Sequence, residues 1–310
     1  MKTNSFIISA EDDVHIFVYS WLPDDVNSIK GIIQIAHGMA EHAARYEEFA
    51  TYMISQSYAV FANDHRGHGK TAGSIEDMGI IAGNNSWKAV LHDMLLLNQN
   101  IQASFPNKNI ILLGHSMGSF YARAYLNMYP ATISSVIISG TAWHSALLLA
   151  FGLGVAKLQC LLRGDGNRSH LLDKLSFGAV NDKFKPNKTP FDWLSRDEEA
   201  CQKYTDDAFC GFICTSSFFR ELFRLLKYVH RKELYAKLNQ DFPILLFCGS
   251  MDPVGNFSEG PQRLYHFLKH KGFTNVKLKL YPDGRHEMLN ETNRSEVYED
   301  VKKWIESQNL

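Results

Sequence analysis

Residues 110–118 read Ile-Ile-Leu-Leu-Gly-His-Ser-Met-Gly (IILLGHSMG), with one serine between two glycines. An apolar run typical of a buried strand leads directly into Gly114-His115-Ser116-Met117-Gly118, and a helical pattern follows as far as Pro130. A strand, a G-x-S-x-G turn and a helix together place a serine on a strained turn at the end of a sheet strand. The stretch predicts that Ser116 is a nucleophile, and a structural serine in a tight turn is the alternative.

The segments around this stretch repeat the alternation of strand and helix. Two N-terminal strands are predicted near residues 6–9 and 15–21, and Ser86 is predicted to cap a long helix that ends near Ser104. Further apolar runs indicate strands at 32–36, 58–62, 136–139, 243–248 and 276–281. Continuous apolar strands alternating with helices are typical of a parallel sheet buried on both faces. We therefore predict an α/β fold with a mostly parallel central sheet covered by helices on both faces.

The alternation stops for about a hundred residues in the middle of the chain. Residues 142–240 contain no convincing strand and show helical patterns near 145–162 and 216–228. We predict one α/β core formed by residues 1–141 and 241–310, with 142–240 inserted as a helical cap, or lid. The most apolar stretch, residues 146–162, is slightly short for a membrane span and contains Lys157 and Gln159, so an amphipathic or buried helix is expected.

Composition and charge exclude several classes of protein. The 310 residues are 45% hydrophobic and carry a net charge of −1, which suits one large α/β domain and argues against nucleic-acid binding. The five cysteines show no CxxC spacing, and Cys210 and Cys214 are predicted to share one face of a helix. Neither disulfides nor a metal site is expected. Reduced thiols and an N-terminus without an apolar signal region predict a cytoplasmic protein.

A serine nucleophile requires a base and an acid, which on this type of sheet follow it in the order Ser, Asp or Glu, His. Asp252 lies just after the apolar run 243–248, and His286 lies after the last predicted strand. Ligands of parallel sheets gather at the carboxyl ends of the strands, so both side chains should approach Ser116. Asp283 and Glu287 also lie near His286, but Asp283 is expected to shape the turn and Glu287 to point elsewhere.

Acyl transfer also requires two N–H donors that stabilise the oxyanion. The backbone amide of Met117, directly after the serine, is predicted to be one donor, and the amide of Met39, in the loop after the run 32–36, the other. Glu41 and His42 in the same loop either order it or are simply polar loop residues. Asp64, His65 and His68 could suggest a metal site, but the two glycines of this stretch, Gly67 and Gly69, favour a sharp turn. No metal or cofactor is predicted.

Five segments in the same order resemble the monoacylglycerol lipase and lysophospholipase branch of the α/β-hydrolases. They are HGMAEHAARYEEFATYM (37–53), FANDHRGHGKTAG (61–73), LLGHSMGS (112–119), GSMDPVGN (249–256) and DGRHEMLNE (283–291). The resemblance implies an α/β-hydrolase fold, a Ser116–His286–Asp252 triad, and the Met39 and Met117 amides as oxyanion donors. It also implies that the cap shapes a substrate tunnel and is able to touch membranes. Met39 stands where many members have a small residue, so its side chain could narrow the acyl pocket.

These observations predict a cytoplasmic serine hydrolase that cleaves a carboxylic ester of a lipid-like substrate, such as a monoacylglycerol or lysophospholipid, with peripheral membrane contact through the cap. A small-ester esterase, a thioesterase or a serine aminopeptidase on the same triad is the alternative. An aminopeptidase would need cap acids to bind an ammonium group, and four are available: Asp192, Asp197, Glu198 and Glu199. A non-catalytic binding protein would have no reason to contain a complete triad. No oligomeric state follows from the sequence.

Overall fold

A single mixed sheet forms the centre of the molecule. The computed structural model describes residues 2–81 and 83–308, and within them eight strands pair in the order β1-β2-β4-β3-β5-β6-β7-β8. The first two strands are antiparallel to their neighbours, and the pairs from β4 through β8 are parallel. The strands are β1 (Lys2–Ser9), β2 (His15–Leu22), β3 (Gly31–Ala36), β4 (Tyr58–Asn63), β5 (Ile110–His115), β6 (Ser135–Ser139), β7 (Ile244–Gly249) and β8 (Val276–Tyr281).

Helices cover both faces of this sheet, as the sequence predicted. Alternate residues of β5 serve opposite faces: Ile110 and Leu112 pack with one core cluster, Ile111 and Leu113 with the other. The described α-helices are α1 (Glu47–Ser55), α2 (Trp87–Ser104), α3 (Met117–Met128), α4 (Ala146–Arg163), α5 (His170–Phe177), α6 (Glu198–Asp206), α7 (Ser216–Val229), α8 (Glu259–His270) and α9 (Arg294–Ser307). Helices α1 and α9 cover one face, and α2, α3 and α8 cover the other.

The segment predicted as a cap contains the four helices α4 to α7. Helix α4 packs along α7, and Gly152 lies so close to Phe223 that an added Cβ would stand 2.5 Å from that ring. Among the described residues α4 is the one helix long and apolar enough, by length and composition alone, to cross a membrane. Only Leu149, Gly152, Ala156 and Gln159 of α4 are buried. The division of the chain into core and cap remains a prediction.

Two local predictions are wrong. Cys210 and Cys214 do not share a helix face, because both lie in the connection between α6 and α7. Ser86 stands at the start of α2 but does not cap it: its hydroxyl donates to the carbonyl of Gly83, and its backbone is already helical.

Candidate active site

Ser116 lies on the turn between β5 and α3 in a strained backbone conformation. Its φ of 52° and ψ of −118° are unfavourable for a residue with a side chain. The flanking glycines make this turn possible because a Cβ on Gly114 would lie 2.3 Å from the Gly118 carbonyl oxygen, and one on Gly118 would lie 1.9 Å from the Ala36 carbonyl oxygen. The chain therefore holds the Ser116 side chain above the end of the sheet, at the N-terminus of α3.

The structure brings Asp252 and His286 together although 34 residues separate them. His286 Nδ1 lies 2.9 Å from Asp252 Oδ1, which also accepts a hydrogen bond from the Val254 amide at 2.9 Å. Both side chains are buried. Burial alone lowers the pKa of His286, but the charge and hydrogen bond of Asp252, with the nearby Glu287 and Glu41, raise it further than burial lowers it, so the net shift is upward. Asp252 therefore orients the imidazole and stabilises its protonated form.

Ser116 and His286 line the same cavity, which is about 370 Å³ in volume. Gly140 lies beside the imidazole and has a positive φ of 57°, which favours glycine. Its lack of a side chain leaves room for the rings of His286 and His115, since a Cβ there would lie 3.0 Å from each. Within the part of the chain that the structure describes, the Ser116 hydroxyl makes no hydrogen bond, including none to His286. Such contacts often tighten only when substrate binds.

The loop after β3 lies against Ser116 and is fixed by several hydrogen bonds. Its Gly38 amide donates to Glu41 Oε1, and a Cβ on Gly38 would lie 3.2 Å from the Ser116 Cβ. Ala40 adopts a positive φ of 55° and donates its amide to His68 Nε2 at 3.2 Å. The amides of Met39 and Met117 donate to no other group in the described residues. Two free N–H groups therefore lie in the segments that flank Ser116, where the sequence predicted the oxyanion donors.

Arg45 forms a buried ion-pair network that the sequence did not predict. Its guanidinium donates to Glu41 at 2.6 Å and to both carboxylate oxygens of Glu287 at 2.6 and 2.7 Å. Burial raises the pKa of Glu287, but the charge and hydrogen bonds of Arg45 outweigh it and lower the pKa to about 2. The network joins the loop after β3 to the residue beside His286. Glu41 and Arg45 stand four residues apart, which is a detectable signal, but the partner Glu287 lies 242 residues from Arg45.

The histidines below this loop act as neutral hydrogen-bond acceptors. His37 Nε2 accepts the His65 amide at 2.9 Å, and burial lowers the pKa of both His37 and His68 to about 3. Asp64 accepts the amides of Ala43 and Lys70 at 2.8 Å each. These contacts use the Asp64 carboxylate, the His68 ring and the backbone amide of His65 to fold the loops. Among the described residues, these three side chains do not form a group with metal-ligand spacing.

A second cavity of about 380 Å³ adjoins the first at Ser116 and Met39. Its walls are mainly apolar: they include Phe120, Leu148, Leu149, Phe151, Leu172, Leu175, Leu222, Phe223, Leu226 and Val254. The first cavity is more polar and contains Asp173 and Asn181 beside aromatic side chains. Ser116 therefore lies between an apolar space and a more polar one, and Met39 lines both of them.

The four cap acids considered for ammonium binding line neither cavity. Asp192 accepts backbone amides of Lys188 and Thr189, and Asp197 caps α6. Glu198 and Glu199 pair with surface lysines. These four acids are thus engaged elsewhere, whereas Asp173, another acid of the predicted cap, does line the first cavity.

The sheet order, the strained serine turn and the Asp252–His286 pair define an α/β-hydrolase. The family model described as serine aminopeptidase, S33, matches residues 27–293, and the chain belongs to this family, in the branch of the monoacylglycerol lipases. A monoacylglycerol lipase of Mycolicibacterium smegmatis is 29% identical over 95% of this chain and 94% of its own length. The Homo sapiens monoglyceride lipase is 27% identical over 95% of this chain and 88% of its own.

Solved structures agree with this assignment. A thermostable carboxyl esterase from Bacillus coagulans, solved in complex with glycerol, superposes with a TM-score of 0.87 at 28% identity and covers 99% of both chains. The predictions of an α/β-hydrolase fold and of an enzyme of this branch are confirmed. The catalytic roles of individual residues remain predictions.

Proposed function

We propose that this enzyme hydrolyses carboxylic esters of lipid-like substrates, with monoacylglycerols or lysophospholipids as the substrate class. The observation that supports this most is the position of Ser116 between an apolar cavity and a more polar one. An acyl chain suits the apolar cavity lined by α4, α5 and α7, and a hydroxylated alcohol suits the cavity that contains Asp173 and Asn181. The names of the similar lipases agree with this assignment.

In the proposed mechanism, Ser116 Oγ attacks the ester carbonyl carbon while His286 Nε2 accepts its proton. The carbonyl oxygen becomes an oxyanion that accepts hydrogen bonds from the Met39 and Met117 amides. When the tetrahedral intermediate collapses, the ester C–O bond breaks and His286 returns the proton to the departing alcohol. Water then attacks the acyl carbon while His286 removes its proton, and a second tetrahedral intermediate forms. When it collapses, the bond between the acyl carbon and Ser116 Oγ breaks, His286 passes the proton to Oγ, and the fatty acid leaves. Asp252 holds the imidazole in the required tautomer and stabilises the imidazolium that forms.

We further propose that the cap contacts a membrane surface and that the protein is cytoplasmic. Helices α4 and α5 expose Leu147, Leu148, Phe151, Leu158, Leu161, Leu162, Leu171 and Leu175. Several exposed apolar side chains on two helices are typical of contact with lipid or protein, and three of them, Leu148, Phe151 and Leu175, line the apolar cavity. All five cysteines are free thiols, which suits a reducing compartment.

The test is hydrolysis of 4-nitrophenyl esters from acetyl to palmitoyl by the wild type and by Ser116→Ala. Preference for medium or long chains, with a loss of about 10⁴-fold or more in the variant, supports the proposal. Residual activity within about tenfold of wild type contradicts the role of Ser116. Activity confined to acetyl and butyryl esters would indicate a small-ester esterase.

Head groups are compared with 1-monoacylglycerol, lysophosphatidylcholine and an aminoacyl anilide under the same conditions. Cleavage of either lipid at its ester supports the proposal and identifies the alcohol. Cleavage of the anilide alone contradicts it and indicates an aminopeptidase.

A further inference from the structure

Three possible metal ligands meet where the loop after β3 contacts the connection between α6 and α7. They are His42, three residues beyond Met39, and Asp207 and Cys210 from the connection. Their ligand atoms all lie within 4.8 Å of one another, and this is the one such group of three found among the described residues. His42 Nε2 and Asp207 Oδ2 are 2.8 Å apart.

We infer that His42, Asp207 and Cys210 form a binding site for a thiophilic divalent cation, with Zn²⁺ the ion that the ligands suit best. Imidazole nitrogen, carboxylate oxygen and thiolate sulfur are all common zinc ligands, and three protein ligands leave a fourth position for water. On binding, the proton that His42 Nε2 shares with Asp207 must leave that nitrogen, moving through solvent to Nδ1, so that Nε2 is free to coordinate the ion. The Cys210 thiol loses its proton to solvent, and its sulfur becomes the third ligand.

The geometry requires only small side-chain movements. Ligand atoms of a tetrahedral zinc site stand about 3.3–3.7 Å apart, given zinc–ligand bonds of about 2.0–2.3 Å. The His42–Asp207 pair would open by about half an ångström, and Cys210 Sγ would move inward by about 1 Å at most. The Phe209 amide donates to Asp207 Oδ1 at 2.8 Å, which orients the carboxylate and directs Oδ2 towards His42.

An acidic surface cleft provides a path for a cation to this site. The cleft, about 660 Å³ in volume, is lined by His42 and Asp207 themselves. Acidic side chains outnumber basic ones on its walls: Glu47, Glu48, Asp197, Glu199, Asp206 and Asp207 stand against Arg45, Lys203 and Arg294. Of the three basic groups, Arg45 has its positive charge offset by ion pairs with the carboxylates of Glu41 and Glu287. The local field therefore favours cation entry.

A bound cation would tie the cap segment to the loop that carries Met39. The Gly211 amide and the Tyr204 hydroxyl already donate to the Ala40 carbonyl at 2.9 and 2.8 Å. Gly211, Tyr204 and Ala40 all line the catalytic cavity. Fixing this contact should raise the melting temperature and slow turnover, because the segment could no longer move aside when substrate enters or product leaves.

The experiment titrates the full-length protein with Zn²⁺ by calorimetry and with Co²⁺ by absorption spectroscopy. Wild type should bind one equivalent with micromolar affinity, and its Co²⁺ form should show a thiolate-to-metal charge-transfer band. Cys210→Ala, which keeps the His42–Asp207 hydrogen bond, should bind at least about tenfold more weakly and lack that band. His42→Gln should weaken binding as well.

Cys160→Ala, which removes a partly exposed thiol on α4, is the matched control and should bind like wild type. The inference would be overturned if Cys210→Ala bound Zn²⁺ as tightly as wild type. It would also be overturned if Cys210→Ala and Cys160→Ala lost Zn²⁺ affinity to the same extent. Repeating the titration in the Ser116→Ala background separates this result from the proposed ester hydrolysis, because binding is measured without turnover.

Discussion

Two opposing influences act on the pKa of His286. Burial lowers its pKa, while Asp252 and the neighbouring carboxylates raise it, and the balance is upward. The base must be neutral to accept the Ser116 proton, so kcat/KM should fall as the pH drops through the pKa of the free enzyme. We expect this acidic limb to lie above the ordinary histidine value of about 6.5.

Asp252→Asn should lower kcat by about 10⁴-fold and move the remaining acidic limb to lower pH, because burial would then be less opposed. Profiles measured between about pH 5 and pH 9 on a soluble ester would show both effects. Asp283→Asn, in the exposed turn three residues before His286, is the control and should leave the profile unchanged. A limb below the ordinary value in wild type would contradict this assignment.

Among the residues that support the active site, Arg45 is the one whose substitution we expect to destabilise the fold most. Arg45→Met leaves Glu41 and Glu287 buried without their cation, which should cost about 3–5 kcal/mol in the free energy of unfolding. Arg294→Met removes an arginine that pairs with Glu48 and Asp197 on the surface, and should cost about 1 kcal/mol or less. Urea titrations at neutral pH measure the free energy of unfolding of both variants. Equal losses of stability in the two would show that burial of the Arg45 ion pairs is unimportant.

The pH dependence gives a second check on the same network. The folded protein holds the pKa of Glu287 at about 2, below the ordinary 4.5, so its ion pair stabilises the fold above pH 4.5. That contribution is lost as the pH falls from 4.5 towards 2. The stability difference between wild type and Arg45→Met should therefore narrow on acidification. If the stability difference between the two proteins did not change with pH, ionisation of Glu287 could not be its cause.

At the scale of elements, the contact between α3 and β3 decides whether the serine turn can form. Gly118→Ala places a methyl group 1.9 Å from the Ala36 carbonyl oxygen, so α3 must shift away from the sheet. We expect a loss above about 3 kcal/mol in stability, beyond ordinary overpacking, together with loss of activity. Gly154→Ala, on the exposed side of α4 where nothing lies within 4 Å, is the control and should stabilise by up to about 1 kcal/mol. Thermal unfolding of both variants measures the difference, and a Gly118→Ala protein as stable as wild type would refute the argument.

The parallel strands around this contact could be predicted from the sequence, and so could the residues at their carboxyl ends. Buried parallel strands are continuous apolar runs, and their carboxyl ends meet at one edge, so Ser116, Asp252 and His286 could be placed together. Helices α5 and α6 were missed because they are short, lie among polar loop residues and bury few of their own side chains. The Arg45–Glu287 pair could not be predicted, because no local pattern specifies a contact across 242 residues.

Across the whole molecule, helix α4 connects solvent with the cavity proposed for the acyl chain, because its exposed side chains Leu148 and Phe151 also line that cavity. A substrate dissolved in a bilayer could enter that cavity without crossing water, whereas a soluble ester could enter from any side. Contact with a membrane should therefore affect lipid substrates and leave soluble esters unaffected.

Substitution of Leu147, Leu161 and Leu162 by serine tests this arrangement. All three are more than 70% exposed and line neither cavity, so the fold and the catalytic site should be preserved. If each leucine contributes about 1 kcal/mol of membrane insertion, the triple variant should bind phosphatidylcholine vesicles on the order of 100-fold more weakly. Its kcat/KM should fall for monoacylglycerol in vesicles and stay unchanged for a soluble short-chain ester.

Ile7→Ser and Ile75→Ser together form the matched control, because both residues are more than half exposed but lie outside the cap. Vesicle flotation and turnover of the two substrates are measured for the three proteins. If the triple leucine variant binds vesicles as tightly as the control, α4 is not the membrane-contacting surface. If it loses activity on the soluble ester as well, the leucines support the cap itself, since a surface that only contacts lipid has no effect on a substrate that arrives through water.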